Sequence, residues 1–341
     1  MRPRPTQASN KRVMQQILLP SPAGGRIFSE RGEKMAKNQY LAQATAEEIA
    51  VQKAHSHEIQ KQQDRVSYLF LLPMFVFFIG FVLVPMGMGI VTSLFNYTMS
   101  DFSFVGLKNY VEMFKDPVFL RSVRNTLVIV VTSVPLVTFF SLWVASVVFK
   151  QNYKSTSFYR GVFYLPVVTG TVPVVVVWKW IFDKYSGILN YLLGTNKSWL
   201  GDTHTAIWCI LAILFTTSVG QPIVLYISAL GNVDQSITEA AEVDGASPLR
   251  TFWQIKWPSI MPTTLYVVVI TTINSFQCFA LIQLLTSGGP VYSTSTVMYY
   301  LYQNAFTLYR YGYANAMGVF LAIVIGLFSA LQFKTMKTDA S

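Results

Sequence analysis

Long apolar runs separated by short polar ones fill this 341-residue chain from about residue 67 to residue 334. Six of the runs reach the roughly 20 residues that a helix needs to cross a bilayer's hydrocarbon core. They cover about 67–94, 123–149, 159–181, 204–230, 261–285 and 313–333, and predict an all-α integral membrane protein with six transmembrane helices. Prolines inside the runs (Pro73, Pro85, Pro135, Pro166, Pro173 and Pro222) predict bent helices, tolerated where neighbouring helices recover the lost bonds. Ahead of the runs, residues 1–66 read as a cytoplasmic extension. Its first 38 residues mix Pro, Gly, Arg and Gln without an apolar period and predict disorder. Residues 39–65, rich in Ala, Gln and Glu, predict a solvated helix, and 335–341 a short cytoplasmic tail. The first apolar run begins too deep in the chain for a cleavable signal, so it is expected to stay as an anchor.

Charge sets the orientation. Only 12% of residues are charged, against 52% hydrophobic, where a soluble domain carries about a quarter charged. Residues 1–66 hold eleven of the 26 Lys and Arg but six of the 16 Asp and Glu. The basic excess therefore belongs beside a membrane surface and implies no nucleic acid. Residues 150–160 carry Lys150, Lys154 and Arg160 with no acid, and Lys334 and Lys337 follow the last run. The stretches 95–122 and 182–203 mix both signs. The positive-inside bias then places both termini and the polar segment 232–262 in the cytoplasm.

That polar segment reads as two short helices with a glycine corner. Ser236 and Glu239 have capping-box spacing, and Gly245 suits the left-handed position that stops a first helix. Ser247-Pro248 reads as N-cap and first-turn proline of a second helix. The second helix is expected to stop before Pro258, which has no donor and restricts Trp257.

Glu239-Ala240-Ala241, three residues, Asp244-Gly245-Ala246, then Phe252, Ile255, Pro258 and Pro262 resembles the EAA loop of ABC-importer permeases. The match is to the sugar-type branch that includes the maltose and glycerol-phosphate permeases. The resemblance implies the type I importer permease fold, and that Glu239, Ala240, Ala241, Asp244, Gly245 and Ala246 form a coupling helix seated in a groove of a cytoplasmic ATPase. Outer segments are similar too: Phe104-Val105-Gly106-Leu107-Lys108-Asn109-Tyr110, Trp199-Leu200-Gly201-Asp202, and Leu285-Thr286-Ser287-Gly288-Gly289-Pro290 with Thr294 and Gly312-Tyr313-Ala314. Ser287 stands where the family usually has a third glycine. The resemblance covers 67–334 and implies a bacterial plasma (inner) membrane location. The implied partners are a second, homologous permease, two ATP-binding subunits and an extracellular solute-binding protein that delivers a sugar or oligosaccharide.

No catalytic set appears in the sequence. Glycine is never followed by lysine, so a P-loop is absent and ATP hydrolysis belongs to a partner. Cys209 and Cys278 lie in predicted spans, with neither CxxC nor a disulfide framework, and read as small core residues. No cofactor or metal is implied. Polar side chains deep in spans are expensive and face interior cavities, and sugars are read by amides, hydroxyls and aromatic faces. Two clusters qualify as a substrate path: Thr216, Thr217, Ser218 and Gln221 in the fourth run, and Asn274, Ser275 and Gln277 in the fifth. Against that reading stands plain helix packing, in which hydroxyls and amides hold a bundle together. Lys179 has two readings as well, an anionic-substrate contact or a side chain snorkelling beside Trp178 and Trp180. An importer of an anionic solute, glycerol phosphate or an oligouronide, is the alternative. A secondary transporter would want buried ionisable groups, which the centres of these runs lack.

Overall fold

The computed structural model describes residues 67–336. The expected N-terminal extension, 1–66, and the last residues of the tail lie outside them. Contacts divide the chain into Met1–Val82 and Leu83–Ser341. In the first unit residues 67–82 are helical, and Phe77 stacks on Phe81 with ring centroids 6.0 Å apart. Apart from the first part of the helix Ser67–Thr92, everything described below lies in the second unit.

Thirteen helices and one hairpin make up the described residues. Helix α1 is Ser67–Thr92 and passes through a π-turn at Ile79–Leu83. The hairpin β1 (Phe95–Tyr97) and β2 (Phe102–Phe104) follows, pairing Phe95 with Phe104. Then come α2 (Lys108–Lys115), α3 (Pro117–Val148), α4 (Tyr153–Thr169), α5 (Thr171–Ile181) and α6 (Ile188–Leu193). Next are α7 (Ala206–Ser218), α8 (Gly220–Gly231), α9 (Gln235–Val243) and α10 (Pro248–Phe276). The chain finishes with α11 (Ala280–Leu285), α12 (Val297–Tyr302) and α13 (Tyr311–Thr335).

Four of these helices, α1, α3, α10 and α13, are long and apolar enough to cross a bilayer, and α4–α5 and α7–α8 qualify as bent pairs. Counting each pair as one span gives the six expected from the sequence. Two details differ from the sequence reading. The third span is broken by 98° between α4 and α5. The break is at Gly170, whose φ of +80° suits glycine, while Pro166 and Pro173 sit inside helices on either side. The fifth span stops at Phe276, and residues 280–285 form the separate α11.

Helix α3 is the axis of the bundle and packs against α7, α8 and α10. Val137, Leu142 and Val148 of α3 are buried with Ile223, Tyr226 and Ile227 of α8 and with Ile260 and Val267 of α10. In lipid such helices gain little from burying apolar surface, so close packing and interhelical hydrogen bonds hold them. The hydroxyls of Ser133 (α3) and Ser275 (α10) lie 2.8 Å apart. Gln332 of α13 donates to Thr272 of α10 at 2.7 Å. Each bond of this kind contributes about 0.6 kcal/mol. Helices α4 and α8 cross at Gly220, where an added Cβ would lie 2.3 Å from the Phe163 carbonyl oxygen.

One end of the second unit is a polar lattice. Asn109, from the segment Val105–Tyr110, is buried and donates to the carbonyls of Ser93 and Phe95 at 2.8 and 2.9 Å, fixing the base of the hairpin. Gly312 passes so close to Phe95 that an added Cβ would lie 2.0 Å from its carbonyl oxygen. The loop after α11 is tied to α3: Ser122 bonds Ser295 at 2.8 Å, and Asn125 donates to the carbonyls of Tyr292 and Ser295. Thr294 donates to the Gly289 carbonyl at 2.7 Å. Trp199 donates to Asn190 at 2.8 Å, and Asn190 also donates to the carbonyls of Asp183, Lys184 and Lys197. The motif residues of the outer segments are thus largely explained by the backbone they hold.

Candidate functional site

The segment 232–262 folds as a corner, with two departures from the sequence reading. Helix α9 begins at Gln235, not after Ser236. Its N-cap is Asp234, whose carboxylate accepts from the Ser236 N–H at 2.8 Å. Bonding to the Ser236 hydroxyl and then to its backbone N–H lowers the pKa of that exposed carboxyl. An aspartate in the N-cap position outcompetes the Ser236–Glu239 capping box because it needs no second residue to complete it. The far end follows the sequence closely. Gly245 has φ +79°, its N–H donates to Glu242 at 3.0 Å, and the Ala246 N–H donates to Ala241 at 2.9 Å. That pair of hydrogen bonds is the Schellman closure, and it needs a residue in the left-handed region. Ser247 then caps α10 by accepting from the Arg250 N–H at 3.3 Å, with Pro248 in the first turn.

The second departure is that α10 does not stop before Pro258. It continues to Phe276 through a π-turn at Phe252–Lys256. The Trp257 N–H reaches back five residues to Phe252, so the ladder has already shifted where Pro258 brings no donor. The π-turn carries the proline without a break, and α9 is joined rigidly to a membrane-spanning helix rather than through a second hinge.

Along α9 the side chains of Glu239 and Ala240 are exposed, while Ala241 and Ala246 are half-buried. Val243 and Leu249, flanking the corner, are exposed by 88% and 69%, and Ile237 and Trp253 are also exposed. An exposed face with small residues, the carboxylates of Glu239 and Glu242 and a rim of large apolar side chains has the composition of a docking surface. Asp244 caps the C-terminal end, with its N–H on Ala240 at 3.0 Å.

Five of the seven polar residues singled out in the spans, all but Thr216 and Ser275, line two adjoining cavities. One, of about 210 Å³, is lined by Thr217, Ser218 and Gln221 of the α7–α8 pair and by Tyr266, Thr271 and Asn274 of α10. The other, of about 290 Å³, is lined by Thr217, Gln277 and residues around Gly170 and the start of α11. Thr217 and Val167 border both. Gln277 therefore belongs to the break after α10, and the shortened fifth span is what opens this second cavity. Tyr266 and Thr271 were missed by the sequence reading. They lie two turns and one turn before Asn274 on α10, a helical spacing that a register search from Asn274 would have found.

The two readings of the polar clusters separate here. Ser275 bonds Ser133, and the hydroxyls of Thr216 and Thr217 bond carbonyls one turn back on α7, so these hydrogen bonds hold helices. Gln221, Asn274 and Gln277 are exposed, and their side-chain amides have no hydrogen-bond partner among the described residues. An amide in a spanning segment left without a partner costs a few kcal/mol in hydrocarbon. Those three therefore face water, solute or another protein. Lys179 is exposed on α5 and borders neither cavity. Among the described residues no three His, Cys, Asp or Glu side chains are placed to hold a metal.

Residues 114–334 match the family described as "Binding-protein-dependent transport system inner membrane component". The chain is 34% identical to the probable ABC transporter permease protein YurN of Bacillus subtilis over 288 residues, which is 81% of this chain and 98% of that one. It is 32% identical over 291 residues to the diacetylchitobiose uptake system permease protein NgcF of Streptomyces coelicolor, covering 79% and 82%. A crystal structure of a bacterial ABC transporter that imports the acidic polysaccharide alginate shares the fold. Its matched chain superposes with a TM-score of 0.70 at 21% identity, covering 82% of this chain and 98% of the other.

Proposed function

This chain belongs to the family of inner membrane components of binding-protein-dependent transport systems, and on that premise we propose that it forms half of a path for uncharged oligosaccharides. It is a permease subunit of an ABC importer, a transport component rather than an enzyme. The path residues are Thr217, Ser218, Gln221, Asn274 and Gln277. One observation carries the proposal: among largely apolar walls, the polar groups of the two adjoining cavities are amides, hydroxyls and the Tyr266 ring, with no Asp, Glu, Lys, Arg or His among the lining residues. Amides and hydroxyls recognise sugar hydroxyls, and an aromatic face covers the apolar side of a pyranose ring. A carboxylated or phosphorylated solute would call for a cation there. NgcF, a permease of a diacetylchitobiose system, supports the sugar reading.

Coupling is assigned to α9. Glu239, Ala240, Ala241, Asp244, Gly245 and Ala246 present the face that meets a cytoplasmic ATP-binding subunit. The Schellman corner and the unbroken α10 pass its movement to Asn274. The importer then comprises this chain, a second permease, two ATP-binding subunits and an extracellular binding protein. A second structure with this fold is of a bacterial alginate ABC transporter in complex with an alginate pentasaccharide-bound periplasmic protein. Lys150 and Glu242 border one cavity, so the basic turn after α3 and α9 share an end of the molecule. The positive-inside bias makes that end cytoplasmic.

The test is binding-protein-dependent, ATP-driven uptake by the reconstituted importer, comparing diacetylchitobiose with an oligouronide of similar size. Uptake of the neutral sugar alone is expected. Preference for the oligouronide overturns the substrate class. Orientation is tested by cysteines at Ser198 and Ser155 in a background lacking Cys209 and Cys278. An impermeant maleimide added to intact cells should label the first and spare the second.

A further inference from the structure

At the α9 end of the second unit, α3, α8 and α10 enclose a cavity of about 490 Å³ that the transport reading does not use. Its walls include Phe149, Leu230 and Phe252, and its charged residues are Lys150, Lys256 and Glu242. Lys150 is exposed on the turn after α3, and Lys256 is half-buried at the end of the π-turn. Neither lysine nitrogen lies within 4.0 Å of a carboxylate among the described residues, where the ion pairs are Lys197–Asp202 and Arg310–Glu112. Two cations from different elements thus meet at an apolar chamber whose one acid, Glu242, is not within ion-pair distance of either.

The depth of the cavity is marked by a tryptophan. Trp143, less than two turns before Phe149 on α3, is 65% exposed. Exposed tryptophans near the ends of spanning helices sit at headgroup level. Apolar side chains beside two lysines match the division of a phospholipid between acyl glycerol and phosphate. Glu242 at the same cavity narrows the headgroup. A phosphate alone would meet one repelling carboxylate, whereas an ammonium next to the phosphate satisfies it.

We propose that this cavity is a binding site for phosphatidylethanolamine from the adjoining leaflet. Lys150 and Lys256 hold its phosphate, Glu242 its ammonium, and Phe149, Leu230 and Phe252 the glycerol and upper acyl carbons. Because Glu242 belongs to α9 and Lys256 to α10, the lipid bridges the two arms of the Gly245 corner and fixes the angle between them. The site is independent of which solute is carried.

Native mass spectrometry of the purified importer complex, delipidated and titrated with dioleoyl phosphatidylethanolamine or dioleoyl phosphatidylglycerol, tests this. Wild-type complex should bind the ethanolamine lipid in preference. The double variant Lys150→Gln/Lys256→Gln should bind it roughly tenfold more weakly, and Lys150→Arg/Lys256→Arg should retain it. Glu242→Gln should abolish the preference between the two lipids. Equal binding by wild type and the glutamine pair overturns the site, and equal binding of both lipids to wild type overturns the headgroup. Displacement of the lipid by inorganic phosphate or a phosphorylated metabolite would mark a soluble-anion site and overturn the lipid assignment. Should the glutamine pair fail to assemble, a phosphatidylethanolamine with a diazirine near its headgroup decides on wild-type complex. Labelling of residues 146–150 or 248–256 is expected, and labelling confined to other segments refutes the site.

Discussion

The backbone N–H of Ala246 lies 2.9 Å from the carbonyl oxygen of Ala241, across Gly245 in the left-handed region. This bond and its neighbour from Gly245 to Glu242 fix the direction in which α10 leaves α9. An added Cβ at Gly245 would meet nothing within 4 Å, so the space is open and only the backbone angle resists a side chain. Gly245→Ala is therefore expected to cost about 1–2 kcal/mol locally and to leave assembly intact. Uptake should fall by about tenfold as the corner relaxes to another angle. Uptake and melting temperature measured on the same variant check this; a large fall in melting with normal specific uptake contradicts it.

The Asp116 carboxylate caps α3 through the Val118 N–H at 2.8 Å and accepts from Tyr300 at 2.6 Å and Tyr313 at 2.8 Å. Burial opposes its ionisation, but the two phenols and the N–H groups of Val118 and Phe119 outweigh burial and lower its pKa. A lowered folded value means that the stabilisation is complete above the ordinary aspartate value of about 3.9 and is lost as pH falls through the folded value. Asp116→Asn should destabilise by about 1–2 kcal/mol at pH 7, after allowance for the water-facing part of the group. The difference in melting from wild type should shrink below about pH 4. A difference that widens on acidification contradicts the assignment.

Two pairs of polar residues in the same spans should respond oppositely. Ser133→Ala/Ser275→Ala removes a bond between helices and should lower the melting temperature without changing solute preference. Gln221→Ala and Asn274→Ala remove amides unpartnered among the described residues, and should slow uptake and shift preference among oligosaccharides with little change in melting. Melting and competitive uptake on both sets distinguish them. A stability loss with unchanged preference at Gln221 and Asn274 would remove both from the path.

Much of this architecture is legible in the chain because single residues control it. Gly245, Ser247 and Pro248 each admit few backbone roles, and their order defines the corner. The spans follow from length and hydropathy alone. What escapes is competition between signals of similar strength. Asp234 and Ser236 are both good N-caps, and no local rule ranks them. Pro258 reads as a stop, because the π-turn that accommodates it depends on packing by Phe252 and Trp257 against the core. The polar span residues look alike in sequence. Ser275 turns out to bond α3 while Asn274 beside it faces a cavity, and only the helix rotation distinguishes them. Tyr266 was lost among the many aromatic residues of the spans, being indistinguishable in sequence from an interfacial one.

The central claim is that the exposed face of α9 is the contact through which ATP hydrolysis moves this chain. A photo-crosslinking amino acid at exposed Ala240, introduced into the importer in native membranes, tests it most directly, with the same probe at Ser198 as control. Crosslinking from position 240 to the ATP-binding subunit is the expected result, changing in yield when ATP is trapped and absent from position 198. Crosslinks from position 240 only to lipid or to the other permease, with the complex assembled, would contradict it.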